Sequence, residues 1–187
     1  MKIGVLAVQG AFIEHIHMLE KLGCECVELR QKEDLAGIEG LVLPGGESTV
    51  QGKLLRKLDM MDELRSMIQN GLPVLATCAG LILLAEKISN DPEVYLGTLP
   101  VTVKRNAYGR QLGSFHQATG FDDMGDFEMT FIRAPYVEDA GRATVLATVD
   151  NKIVGVQYGN QLGIAFHPEL GEDTRIHERF LNMVKNR

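Results

Sequence analysis

The stretch Leu72-Pro73-Val74-Leu75-Ala76-Thr77-Cys78-Ala79-Gly80-Leu81-Ile82-Leu83-Leu84-Ala85-Glu86 decides the fold of this chain. Its first part is a short apolar run of the kind that fills a strand covered on both faces of a parallel sheet. From Ala79 to about Ile88 the pattern reads as a helix. Cys78 stands at the corner. A side chain there is presented at the end of the strand, with a helix N-terminus behind it. The positive end of the helix dipole lowers a thiol pKa and favours the reactive thiolate. The same helix start offers backbone N–H groups to an oxyanion. Ala76 and Gly80, two residues before and two after, are small, as a sharp elbow requires. An isolated cysteine between a strand and a helix is, taken alone, better read as core packing.

Outward from this corner, the first half alternates strand and helix. Ile3 to Val8 reads as a strand and Phe12 to Leu22 as a helix, with Phe12, Ile16, Leu19 and Leu22 near helical spacing and Gly23 at its end. Glu25 to Leu29 and Leu41 to Leu43 read as strands. Val50 to Asn70 reads as one helix closed by Gly71. In the second half, Thr98 to Arg105, Met129 to Arg133, Thr144 to Val149, Ile153 to Tyr158 and Gln161 to Phe166 read as strands, two of them joined by the turn-forming Asp150-Asn151. A last helix runs from about Asp173 to Val184. The pattern predicts an α/β fold: a mostly parallel sheet with helices on both faces and added antiparallel strands. With no repeat, linker or low-complexity tract, residues 1–187 are expected to form one domain.

The net charge of −6 disfavours nucleic acid and anionic membranes, both of which reward a basic face. No apolar run approaches the roughly 20 residues of a membrane helix. The opening Met1-Lys2-Ile3-Gly4-Val5-Leu6 reads as a strand of a cytoplasmic protein rather than a signal peptide. Cys24 and Cys26 are too close together for a zinc pair and have no second pair downstream, so they are read as packing residues. No metal and no cofactor are expected.

Two further segments carry chemistry. His167-Pro168-Glu169 follows a strand-like run. In an extended segment, residues two apart project to the same side, and the proline stiffens the link. Glu169 is thereby placed to orient His167, and His167 to act as base and acid toward Cys78. Pro44-Gly45-Gly46-Glu47-Ser48-Thr49 links a strand to a helix. Its glycines allow backbone N–H groups to approach a ligand, and Ser48 and Thr49 are placed to cap the helix. Taken singly, each segment is better read as a plain turn leading into a helix. The remaining histidines, His15, His17, His116 and His177, are read as surface or packing residues, with His177 on the polar side of the last helix.

In order along the chain, Pro44-Gly45-Gly46-Glu47-Ser48, Thr77-Cys78-Ala79-Gly80 and Phe166-His167-Pro168-Glu169 resemble the motifs of class I glutamine amidotransferase domains. The segment from Arg105 to Gln111, Phe131-Ile132-Arg133-Ala134-Pro135 and the opening Gln9-Gly10 with Glu14-His15 narrow the resemblance to the glutaminase subunits of pyridoxal 5'-phosphate synthase. The resemblance covers essentially the whole chain. Ala76 departs from it, standing where the wider family has the first glycine of its elbow.

The resemblance implies a flavodoxin-like three-layer sandwich and hydrolysis of L-glutamine to L-glutamate and ammonia through a Cys78, His167, Glu169 triad and a γ-glutamyl thioester. It makes Gly46, Glu47, Ser48, Arg105, Ile132 and Arg133 glutamine-binding positions. The amides of Gly45, Gly46 and Ala79 are candidates for the oxyanion hole. It further implies a partner, a (β/α)8-barrel synthase subunit in a twelve-plus-twelve assembly. That partner would join the ammonia to ribose 5-phosphate and glyceraldehyde 3-phosphate. The alternatives are a class I glutaminase of another pathway and an inactive regulatory subunit.

Overall fold

The computed structural model describes residues 1–106 and 114–187. In chain order the strands and helices are β1 (Lys2–Leu6), α1 (Phe12–Lys21), β2 (Glu25–Leu29), β3 (Gly40–Leu43), α2 (Ser48–Lys57), α3 (Met61–Gln69), β4 (Val74–Thr77), α4 (Ala79–Leu84), β5 (Ala85–Ile88), β6 (Leu99–Lys104), β7 (Ser114–Gly120), β8 (Asp126–Ile132), β9 (Tyr136–Asp139), β10 (Thr144–Val149), β11 (Lys152–Tyr158), β12 (Gln161–Ile164) and α5 (Arg175–Lys185). The main sheet has the order β2-β1-β3-β4-β12-β11-β9-β6-β5, with β10 paired to β11. From β2 to β12 every pairing is parallel, whereas β11 pairs antiparallel with β12, β9 and β10. This is the expected α/β architecture with antiparallel additions.

Every residue of β3, β4 and β12 is buried, so these strands are covered on both faces, as their largely apolar sequences require. Their register is tight: Leu43 lies opposite Ala76, and Ile164 opposite Thr77. Because β3, β4 and β12 run the same way, the segments that follow them leave the sheet on one side. Those segments are the Gly45-Gly46 loop, Cys78 and His167. Ligands bind at the carboxyl ends of strands in sheets of this kind. Among the described residues no helix is long and apolar enough to cross a membrane.

Several elements differ from expectation. The single helix over Val50 to Asn70 is two helices, broken at Asp59, whose φ of 55° is left-handed. The break sends Met60 and Met61 into the core, at 0% and 5% exposure, which a continuous helix would not do for consecutive residues. The helix from Ala79 stops at Leu84, with all six of its residues buried, where Ala85 turns to extended backbone with ψ 136°. The following Glu86 and Lys87 reach solvent only because the chain becomes the edge strand β5. Strands β7 and β9 lacked an apolar signal. The β7–β8 ribbon stands apart as a two-stranded sheet, and β7 is largely exposed. Much of the expected motif from Arg105 to Gln111 falls at 107–113, outside the described residues.

Two glycines are fixed by close approach. A Cβ on Gly52 would meet the Tyr95 ring, so the glycine near the start of α2 is a seat for that ring. A Cβ on Gly80 would strike the Leu43 carbonyl oxygen, with Leu43 C and Cβ both at 2.9 Å. The obstacle is backbone in the middle of the sheet, so it does not yield. Gly80→Ala is expected to cost about 1–3 kcal/mol, the range for overpacking. In urea unfolding this appears as a lower midpoint with an unchanged slope. An unchanged midpoint would mean that α4 shifts freely on β3.

Candidate active site

Cys78 has φ 50° and ψ −103°, a conformation that side-chain-bearing residues rarely adopt. The surroundings hold it there. Its N–H donates to Ile164 O at 2.8 Å, which ties the corner to β12. Gly80 lets α4 sit directly on β3, and Ala76 is wholly buried between Leu43 and Gly163. The elbow therefore forms with alanine in place of glycine. The thiol is 6% exposed and donates to Ile132 O at 3.8 Å.

His167 reaches the thiol from β12. The preceding ring, Phe166, is packed edge-on against Phe121 and Phe131, with ring centres 6.0 and 5.8 Å away. The His167 N–H donates to Thr130 O of β8 at 2.8 Å. One short turn, Pro168–Leu170, then brings Glu169 Oε1 to 2.6 Å from His167 Nδ1. A Cβ on Gly45 would overlap His167 Cε1, so Gly45 is the seat of the imidazole ring. Burial alone would lower the His167 pKa. Hydrogen bonds to Cys78 and to Glu169, with the charge of the carboxylate, outweigh it and push the pKa up to about 10. Burial would raise the Glu169 pKa, but His15 and the bond from His167 hold it below the usual carboxylate value. At neutral pH the pair is therefore an imidazolium and a carboxylate. Cys24 and Cys26 differ: burial raises both thiols, Cys26 to about 12.

A cleft of about 430 Å³ opens over the thiol. Its lining includes Gly46, Glu47, Ser48, Cys78, Ala79, Arg105, Ile132, Arg133 and His167, together with Ile82 and Asn106, which the sequence reading did not single out. Gly45 and Glu169 lie behind this lining. Gly45 O accepts from Ala11 N–H at 3.0 Å, and the Glu47 N–H donates to Gln9 Oε1 at 2.9 Å. Gln51 Nε2 donates to Gln9 O and Pro44 O at 3.1 and 3.2 Å. Gln9 and Gln51 thus clamp the glycine loop. Ser48 does not cap α2. Glu47 holds the cap position without a side-chain bond, and the buried Ser48 Oγ has no partner among the described residues, beside the cleft. Arg105 is paired with Asp91 at 2.8 Å, whereas Arg133, 77% exposed with φ 47°, stands 4.0 Å from Glu47 across the mouth.

The position of His177 corrects the sequence reading, and that of His15 sharpens it. His177 is not on the polar side of α5. It is fully buried, in the stripe of Phe180, Leu181 and Val184. His15 is fully buried in the stripe of Met18 and Leu19. The two rings are bonded, His15 Nδ1 to His177 Nε2, at 2.8 Å. His15 Nε2 lies 3.2 Å from Thr77 Oγ1 and 3.4 Å from Glu169 Oε2. The spacing of both residues matched the apolar faces of their helices, and that was the available signal. His17 and His116 are exposed, as expected.

Burial lowers the pKa of His15, and that of His177 to well below its ordinary value. Both rings therefore stay neutral when folded but take up protons near pH 6.5 when unfolded. Their contribution is present above about pH 6.5 and lost as pH falls below it. Glu169, with its lowered pKa, adds a loss in the same direction at more acid pH. Urea midpoints are expected to fall steadily from about pH 6.5 downward. A flat profile from there to about pH 5 would contradict the buried neutral pair.

The sequence profile of the SNO glutamine amidotransferase family matches residues 5–186. The chain is 62% identical over 186 residues to "Pyridoxal 5'-phosphate synthase subunit PdxT" of Desulfitobacterium hafniense (strain DSM 10664 / DCB-2), covering 98% of this chain and 94% of that protein. It is 55% identical to the subunit of the same name from Methanocorpusculum labreanum, covering 98% of each. A crystal structure described as a glutamine amidotransferase superposes with a TM-score of 0.94 at 45% identity, over 98% of both chains. With a family match across the sequence and relatives of this similarity along its whole length, the chain belongs to the SNO glutamine amidotransferase family.

Proposed function

We propose that residues 1–187 form one glutaminase domain, the ammonia-producing subunit of a pyridoxal 5'-phosphate synthase. The observation that carries this reading is the strained Cys78 elbow, sharing the floor of one cleft with a His167 that Glu169 holds at 2.6 Å. In this mechanism Cys78 attacks as the thiolate, its proton carried by His167, and its sulfur bonds to the side-chain amide carbon of L-glutamine. The N–H groups of Gly46 and Ala79, both on the cleft wall, receive the negative charge that develops on oxygen. Gly45 contributes by seating His167. His167 gives its proton to the amide nitrogen, ammonia leaves, and a γ-glutamyl thioester remains. Water then attacks the thioester carbon while His167 takes a proton from it. Glutamate departs and Cys78 is restored. Throughout, Glu169 keeps the imidazole oriented and stabilises its charged form.

The substrate's charged ends suit the rim. Arg133 and Arg105 can hold a carboxylate, and Glu47 an ammonium. The exposed Arg133–Glu47 pair is weak in water, so a ligand offering both charges replaces it at little cost. Ile132 supplies the carbonyl that the resting thiol faces, and the Ser48 hydroxyl is an unspent polar group beside the site. The partner is proposed to be a cytoplasmic (β/α)8-barrel synthase subunit in a twelve-plus-twelve assembly. It would take the ammonia into a reaction with ribose 5-phosphate and glyceraldehyde 3-phosphate. The names of the relatives support a synthase partner. The experiment is glutamate formation from L-glutamine by the purified chain, with and without the cognate synthase subunit. Hydrolysis strengthened by the partner is expected. No hydrolysis even in the complex would refute the reading.

A further inference from the structure

Resting on the triad reading above, we propose that His15 is a positioning residue: held with its proton on Nε2 by His177, it fixes the Glu169 carboxylate so that Oε1 stays on His167. Glu169 is 5% exposed and has two oxygens to satisfy. Oε1 accepts from His167 at 2.6 Å. Oε2 is buried, accepts no hydrogen bond among the described residues, and faces His15 Nε2 at 3.4 Å. A buried carboxylate oxygen needs a positively polarised neighbour, and His15 Nε2–H is placed to be that group.

The direction of the proton chain follows from its two ends. Each neutral ring carries one N–H, and one proton lies between His15 Nδ1 and His177 Nε2. If that proton belonged to His15, a bare Nε2 lone pair would face Glu169 Oε2. In addition, His177 Nδ1, buried and without a partner among the described residues, would carry an unbonded N–H. If the proton belongs to His177, His15 Nε2–H faces Thr77 Oγ1 and Glu169 Oε2. The orphan at His177 is then only an unused lone pair, which is the less costly vacancy. Both ends favour the second arrangement. The charged groups around His15 are Glu169, His167 and Glu14, and burial outweighs them in keeping the ring neutral.

The carboxylate torsion is broad, so one hydrogen bond to His167 leaves it free to rock. His15 closes that freedom from the far side. Without it, the imidazolium of His167 is held less firmly and gives up its proton at lower pH.

The test uses the full chain with its cognate synthase subunit and follows glutamate formation from about pH 6 to about pH 10, a span that covers the ordinary and the raised His167 values. His15→Asn keeps a polar group toward His177 but removes the N–H that faces Glu169. It is expected to lower kcat about 10- to 100-fold, the usual effect of removing an outer support, with KM within about twofold and the alkaline limb moved to lower pH. His15→Gln returns an amide N–H near the Nε2 position and recovers most of both. His177→Phe removes the tautomer-fixing donor and reproduces the His15→Asn profile, and it serves if that variant does not fold. His177→Gln keeps a donor and stays near the parent. An active parent whose His15→Asn and His177→Phe variants keep the parental alkaline limb overturns this proposal alone. So does equal loss in His15→Asn and His15→Gln, which is the mark of a packing role. Absence of hydrolysis by the unsubstituted complex overturns the glutaminase reading and this one with it.

Discussion

Cys78→Ala is expected to stop glutamate formation, lowering turnover at least about 10³-fold in the complex with the synthase subunit, while the chain stays folded. No other thiol can take over. Cys24 and Cys26 are packed elsewhere, and burial raises their pKa values. Without a nucleophile, His167 could only direct water at an amide, which forgoes the thioester that divides the reaction into two easier steps. The fold tolerates the change because the polar contacts of the sulfur, to Ile132 O at 3.8 Å and to His167, serve the site rather than the packing of the elements. Alanine meets the same left-handed strain that cysteine does. Far-UV circular dichroism and a melting temperature within a few degrees of the parent, together with loss of glutamate formation, are the expected result. A variant keeping more than a few per cent of the parental rate would remove Cys78 from the chemistry.

Glu169→Gln is expected to lower kcat about 10²- to 10⁴-fold, the range for an orienting carboxylate or a general acid–base partner. The substitution keeps shape and removes charge, so it isolates the electrostatic role. Its second effect is on pH-dependent stability. His167 has a folded pKa of about 10, raised above its unfolded value. The stabilisation from its charged form is therefore complete below about pH 6.5 and disappears as pH rises toward about 10. The parent should lose stability across that alkaline window, and Glu169→Gln should show a flatter profile. Equal alkaline slopes in parent and variant would mean that the 2.6 Å contact does not hold a charged imidazole.

How much of this was legible in the sequence depended on whether a residue's surroundings were local. The strands β3, β4 and β12 are covered on both faces, so their sequences are mostly apolar and readable, Gln161 and Thr77 apart. Cys78, His167 and Glu169 lie at strand ends, where small neighbours and a stiff His-Pro-Glu segment marked them. The break at Asp59 was not readable, because it takes a left-handed residue to turn Met60 and Met61 inward, and an aspartate seldom announces that. Strand β7 was missed because its partner β8 supplies the buried face, through Phe127, Met129 and Phe131. His15 and His177 were assigned to surface or packing roles by residue type, although each sits at the spacing of its helix's apolar face. Polar residues inside an apolar stripe mark a buried network, and here that network ends on Glu169.

The central claim is that Cys78 alone among the three cysteines forms a covalent bond to glutamine. Exposure of the full chain with its synthase subunit to a glutamine-like electrophile, followed by peptide mass mapping, tests it most directly. The account predicts a single adduct on Cys78, suppressed by excess L-glutamine, with Cys24 and Cys26 unmodified. Labelling spread equally over the three thiols, or a Cys78 adduct that glutamine does not suppress, would contradict it.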